Sequence, residues 1–582
     1  MLPDRLTAAR IPGTLTGVLQ ARLDSLGPIE RRAMQLASVV GPVFWDETLA
    51  ALDPQALGSL PALQRKAMVL TRADSAFAGT REEAFQHHLL HQVTYDTVLK
   101  AERRDAHART AAWLAERVGD REAEYIGITA EHYERAGDHE RALDWYERAA
   151  ITASKRFANQ ATLSYLARML AMPELRDLRR RRKLLERQTT AADLIANRVL
   201  QRESLDERDR LDALIDDDAL RASTAMGYSL LADRLGERAR ALEMAQRAAT
   251  LAEANDCNGI AALAHAEISW LAGERGELAL AHEHIERALP FATRAAQQMI
   301  LPGDDMYEIA LRLVAASLHV NGFDYDRARE LLLEARGLAA PRPHQRRLFC
   351  SCHEALGRLA ADMNHPSATE HIDAAAAVAL EIGQAVILAI VPLLRGRVAQ
   401  AEGDMERAVR LMEQAFAMQE PLGSRMHQAD TMQYLGRTLV QMNRPTDARA
   451  ALEKALERHV AIGAEADARV DRLLIADTWY LDGEPARALE AIEAELAALE
   501  AVGALDSSGS GLAARAAVWR VLQGTGDARA ARHLEAAVID IGRRTEKIRD
   551  PVARQRMLDN VPLYREVQAA WAARFRLGGQ AG

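Results

Sequence analysis

Histidines 87, 88 and 91 form the densest group of potential ligands and proton carriers in the chain, with His87 and His91 four residues apart. On a helix that spacing puts both rings on one face, where they could share a metal. The metalloprotease pattern needs a glutamate directly after the first histidine, and His88 stands there instead. No third ligand is evident, so no metal site is assigned. Cys350-Ser-Cys352-His353 carries soft ligands, but the spacing is too tight for a zinc knuckle and no second pair follows. Buried helix cysteines are expected there. Arg179 to Lys183 is the densest basic run. Successive helix residues point all round the circumference, so these cations form no stripe and a solvated segment is expected. A phosphate-cradling loop needs Gly-x-x-x-x-Gly-Lys-Ser/Thr, yet none of the six lysines (66, 100, 155, 183, 454, 547) follows a glycine. No Gly-x-Ser-x-Gly element occurs either. The sequence offers no catalytic residue, and the chain reads as a non-enzyme.

Bulk properties narrow the elements that could hold such groups. A chain of 582 residues is too long for one globular core, unless each part buries its apolar face only against its neighbours. Half the residues are apolar (49%) but only 5% are aromatic, which suits closely packed, alanine-rich helices. A net charge of −9 disfavours nucleic-acid binding, which depends on neutralising phosphates. Three cysteines form no disulfide framework and fit a reducing cytoplasm. The N-terminus lacks the apolar core of a secretory signal. The longest apolar run, Ala385 to Leu394, is far shorter than the roughly 18 residues needed to cross a bilayer. A cytoplasmic, soluble protein is expected, with that run buried in a helix.

A period organises the rest. Alanine recurs at 328, 368, 408, 448 and 488, forty residues apart, and Ala241 and Ala281 share the step. Ala142 and Ala530 extend the series. Seven residues on come Ala149, Ala248, Ala288, Ala335, Ala375, Ala415 and Ala455, then Glu495 as the exception, then Ala537. A larger apolar residue lies between, as in Tyr146, Ile372, Met412, Leu452 and Ile492. A turn such as Gly137-Asp138, Gly403-Asp404 or Asn443-Arg444 precedes each anchor. Two small side chains two helical turns apart let antiparallel helices approach to about 8–10 Å. The period therefore predicts an all-α solenoid of stacked helix pairs over residues 101–545, degenerate at 155–225, with capping helices at 546–582. Inserted loops are expected at Leu301–Asp305 and Asp506–Gly511. Residues 1–100 lack the period. Their helices, followed by strand-like Met68–Arg72 and Glu83–Phe85 around Gly79, predict a small winged-helix-like domain.

The register Gly-Asp-x-x-x-x-Ala-x-x-x-φ-x-x-Ala, clearest in Ala130 to Ala149, resembles the tetratricopeptide repeat in a long-helix form. That form is found in bacterial signal-transduction ATPases and maltose-regulator-like activators. Ile11-Pro-Gly-Thr-Leu, Arg32 to Trp45, Phe85 to Tyr95 and Arg104-Asp-Ala-His107 resemble the end of the nucleotide-binding module in such proteins. In these proteins a class III cyclase or kinase precedes the ATPase. Ile548 to Pro562 is similar to the tail that often closes them. The resemblance implies the C-terminal part of such a regulator, without its P-loop and catalytic portions. It also implies that His87 occupies the place of a histidine touching the β-phosphate of ADP, with His88 and His91 leaving the register open. ATP or ADP would then come only with a missing or separate nucleotide-binding domain. The expected function is a regulatory scaffold holding a protein, peptide or small effector in its groove and coupling it to an ATPase-linked output. The alternatives are a DNA-binding regulator acting through residues 1–100 and a truncated nucleotide-binding cyclase or ATPase.

Overall fold

The computed structural model describes residues 13–117, 122–275, 277–297, 306–502 and 510–578. It separates into two compact units, Met1–Arg181 and Arg182–Gly582. The loop expected at Leu301–Asp305, most of that at Asp506–Gly511, the turn glycine Gly276 and the start of the Ile11 motif lie outside the described residues.

The first unit opens with helices Gly13–Asp24 and Pro28–Val40, the latter stopping at Gly41. A three-stranded antiparallel sheet follows, β1 (Val43–Trp45), β2 (Val69–Thr71) and β3 (Glu82–Phe85), in the order β1-β3-β2. Short helices Asp46–Leu52, Pro54–Leu57 and Leu60–Arg65 connect the first two strands. The two expected strands are present: β2 is one residue shorter at each end than Met68–Arg72, and β3 starts one residue before Glu83. β1 was not anticipated, because three residues are too few to show an alternating pattern. Its buried Phe44 and Trp45 nevertheless anchor the module. Trp45 stacks on Trp113 at 5.6 Å, and Phe77 packs edge-on against both rings. Helices Lys100–Arg117, Glu122–Ala136, His139–Lys155 and Asn159–Leu170 complete the unit.

The expectation for the basic run changes near the junction of the units. Arg179 and Lys183 are exposed as expected, but the residues between them are engaged. Arg180 reaches Asp144 and Glu147 at 2.8 and 3.0 Å, while Arg182 is 4% exposed and bonded to the buried Asp212 at 2.7 Å. A guanidinium this deep requires such a partner, since an unpaired buried charge costs several kcal/mol. The helix-like stretch Lys183–Leu200 is divided between two helices, Leu178–Leu194 and Arg198–Ile215. They are divided by left-handed Ala196 and by Asn197, whose side chain caps Leu200 N.

The second unit continues as antiparallel helix pairs, eight among the described residues. The first helices are Asp218–Leu235, Asn258–Glu274, Met306–Asn321, Arg346–Asp362, Ala385–Glu402, Arg425–Gln441, Glu465–Leu481 and Gly511–Gly524. The second helices carry the anchor alanines. Every anchor and every alanine seven residues on is at most 4% exposed, across both units. Glu495, the exception, stays half-buried and bonds Arg469 and Arg472 of the first helix of its pair at 3.3 and 3.4 Å. Left-handed backbone precedes the anchors, at Gly403 (φ 88) and Gly483 (φ 84) but also at Phe323 (φ 58) and Asn443 (φ 56). The apolar run Ala385 to Leu394 starts the Ala385–Glu402 helix and is largely buried. No helix of the described residues is long and apolar enough to cross a membrane.

The pairs of this unit coil tightly. The first helix of pair one packs against the first helix of pair six. Pair three likewise meets pair eight and the segment after it: Lys547 Nζ donates to Gly322 O at 2.8 Å, and Arg549 N to Asp326 at 2.7 Å. Both closures join pairs five apart, so one superhelical turn takes about five pairs. So tight a turn leaves its first helices facing one small interior.

Candidate functional site

The interior is positioned by a local pattern that recurs with the period. Gly357-Arg358, Gly396-Arg397 and Gly436-Arg437 occupy the same place on three successive first helices. Each glycine is buried against the second helix of its pair. A Cβ on Gly396 would come within 3.1 Å of Ala408 O, and one on Gly436 within 3.2 Å of Ala448 O and 2.5 Å of Leu452. The anchor alanines and these glycines are two sides of one close crossing. The next residue lies about 100° further round the helix, and that rotation delivers the arginine to the interior.

These arginines line a cavity of about 700 Å³ within the second unit. Its walls come from first helices of seven of the eight pairs, and Asn560 to Tyr564 close part of it. Arg358 bonds Glu354 at 2.6 Å, Arg397 bonds Asp362, and Arg544 bonds Asp540 at 3.1 Å. Tyr434 lies among them, with the Arg397 and Arg437 guanidinium carbons 4.6 and 5.3 Å from its ring centre. Arg544 sits 4.4 Å over Phe323, a bulky residue that holds a left-handed turn position. Burial pushes the Tyr564 hydroxyl up to about 12 and raises Tyr325 as well.

Acids and histidines line the other part. Burial lowers His427 to about 4, so its ring is neutral at pH 7, and burial raises Glu274 to about 7 although Arg238 lies 3.1 Å away. His459, behind the cavity-lining Asp430, behaves differently. Burial would lower it, but the carboxylates of Asp430, 3.9 Å away, and Asp471 outweigh that and hold it at about 10. The Asp471 contact is 2.6 Å, a charge-assisted distance. Asp471 itself is raised by burial, opposite to what an ion pair alone would do. The short contact and the second carboxylate favour a cationic His459 shared by two aspartates. The cavity is thus a charged, nearly self-neutralised interior suited to binding.

The residues singled out in the sequence fall elsewhere. His87 belongs to the first unit, where it precedes helix His88–Asp96 in extended conformation, with its side chain exposed and making no capping bond. His91 is the one bonded to backbone, Nε2 to Ser38 O at 2.9 Å, and burial lowers it. The rings of His88 and His91 are 6.2 Å apart, and no metal-holding group of three occurs among the described residues. Tyr95 and His107 of the quoted motifs are structural. The Tyr95 hydroxyl lies 3.0 Å from His107 Nε2, and His107 Nδ1 lies 2.8 Å from His132 Nδ1. His132 in turn bonds the Val40 backbone. Cys350 and Cys352 are fully buried in a helix, and burial pushes both thiols up to about 12. The arginine series went unnoticed, although Gly-Arg at steps of 39 and 40 residues was a visible signal.

The architecture is an all-α, tetratricopeptide-type solenoid. Residues 387–459, the fifth and sixth pairs, match the tetratricopeptide repeat family. No curated protein matches the chain detectably. Among solved structures, a Rap protein complexed with competence and sporulation factor is similar, with 12% identity, TM-score 0.47, and 63% of this chain covering 99% of that one. A signal-transduction ATPase (STAND) protein with a tetratricopeptide repeat sensor from Pyrococcus horikoshii has 12% identity and TM-score 0.34, with 85% of this chain covering 67% of that one. The anaphase-promoting-complex heterotetramer Cut9–Hcn1 has 12% identity and TM-score 0.37, with 79% covering 94%.

Proposed function

We propose that the chain is a non-catalytic sensor scaffold that binds a small effector or a short peptide segment in the interior of its second unit. The observation that carries this is the charged cavity. Buried ions cost stability unless paired, and an apolar lining of equal volume would serve a pure scaffold as well or better. A volume of about 700 Å³ suits a drug-sized molecule or a few residues of peptide, and is too small for a folded domain. An occupant would touch pairs from both ends of one superhelical turn and so favour one packing over another, which is what coupling to an output requires.

The finer reading is that residues 1–100 form a winged-helix-like module at the end of an ATPase-type regulator, linking the solenoid to a cyclase, kinase or transcriptional output. The strand order β1-β3-β2 with three helices between β1 and β2 supports it. His87 remains a candidate phosphate contact toward a separate nucleotide-binding domain, supported by its exposure. The DNA-binding alternative draws less support. Lys66, at the end of the short helix before β2, is bonded to Glu30 at 2.6 Å, while Arg72 and Arg81 beside the strands pair with Glu82 and Asp46.

A photo-crosslinking amino acid at Ser351, in the cavity wall, should capture the occupant in cells, whereas one at Glu413 on an outer second helix should not. Equal capture at both positions, or capture at Glu413 alone, would overturn the proposal.

A further inference from the structure

Five arginines line the cavity of the second unit, and four of them are spoken for. Arg358, Arg397 and Arg544 bond Glu354, Asp362 and Asp540, and Arg234 pairs with Asp233 at 3.3 Å. The lining carboxylates are likewise engaged, since Glu274 faces Arg238 and Asp430 faces His459 at 3.9 Å. Arg437 is left over. Among the described residues it has no carboxylate within ion-pair distance, and its one aromatic neighbour is the Tyr434 ring. It is held there by its place in the period, directly after the buried Gly436.

We infer that Arg437 is an anion receptor and that the occupant of the cavity carries a carboxylate, phosphate or sulfonate group bonded to this guanidinium. This deepens the proposed function and rests on it. The planar fork of an arginine offers two parallel N–H donors to such a group, and charge-assisted bonds in a sheltered site are the strong ones. Arg397 and Arg544 lie near enough to weaken Arg437's hold on its proton, although burial is the larger cause. Asp362 and Asp540 neutralise those two, so Arg437 is the uncompensated cation that an incoming anion meets. Tyr434, Tyr325 and Tyr564 supply aromatic surface beside the site, so an anion attached to an aromatic or apolar body fits better than a bare ion.

Two fluorescent probes separate this inference from the reading beneath it: 8-anilinonaphthalene-1-sulfonate and its neutral parent N-phenyl-1-naphthylamine, titrated into the full chain. Both should bind, and citrate should displace the sulfonate. Arg437→Gln should weaken the sulfonate about tenfold or more and leave the neutral probe unchanged. Arg437→Lys should restore part of the affinity, and Arg395→Gln, a surface arginine paired with Asp373, should behave as wild type. Melting curves followed by circular dichroism establish that each variant is folded. Should a folded Arg437→Gln bind the sulfonate as wild type does, the anion receptor is overturned while the cavity reading survives. If neither probe binds the wild type, the cavity reading fails and this inference with it.

Discussion

At the scale of single residues, the buried histidines of the first unit and His459 of the second are held in opposite states. In the first, Tyr95, His107, His132 and the Val40 carbonyl form a continuous line of bonds that is satisfied when both rings are neutral. Burial holds both histidines at about 3, well below the usual 6.5. The unfolded chain therefore takes up protons first as pH falls. Stability is full above about 6.5 and is lost progressively down to about 3. At pH 5 each histidine should cost the fold on the order of 2 kcal/mol. Urea midpoints at pH 7 and pH 5 check this: His132→Gln should weaken the protein at pH 7 but shrink the loss on acidification. An equal loss in variant and wild type would contradict it. His459 has the reverse sign, because its folded value of about 10 means that its contribution fades only as pH rises from about 6.5 through 10. Neither role could be read from spacing, since both depend on partners brought in by other helices.

At the scale of the helix pair, one crossing does two jobs. The buried glycine before each cavity arginine permits the close approach and sets the direction of its neighbour. Gly436→Ala gains about 1 kcal/mol of helix propensity. It also forces a methyl group to within 3.2 Å of the Ala448 carbonyl and 2.5 Å of Leu452. Overpacking of that kind costs about 1–3 kcal/mol, so the variant should be less stable by about 1 kcal/mol. Gly337 is the contrast: exposed on a helix with nothing within 4 Å of an added Cβ, so Gly337→Ala should stabilise by up to about 1 kcal/mol. Thermal melts that ranked the two alike would contradict this assignment of the crossing. The crossing was largely legible in the sequence, because a steric rule repeated nine times leaves a pattern. The anchor alanines, their partners seven residues on and the turns among the described residues appear where the period put them. Strand β1 and the break at Ala196 were not legible, being single events decided by packing.

At the scale of the second unit, sequence periodicity showed that pairs stack but not how tightly they coil. The closures of pair one on pair six, and of pair three on pair eight, join residues some 200 positions apart and rest on contacts with no local signature. It is this five-pair turn that converts a row of inward arginines into one shared, charged interior. The account stands on that interior being the place of binding. Hydrogen–deuterium exchange of the full chain, with and without saturating 8-anilinonaphthalene-1-sulfonate, tests it most directly. Bound probe should slow exchange in the first helices Arg346–Asp362, Ala385–Glu402 and Arg425–Gln441 and leave the outer second helices unchanged. Slowing confined to the second helices would contradict the account.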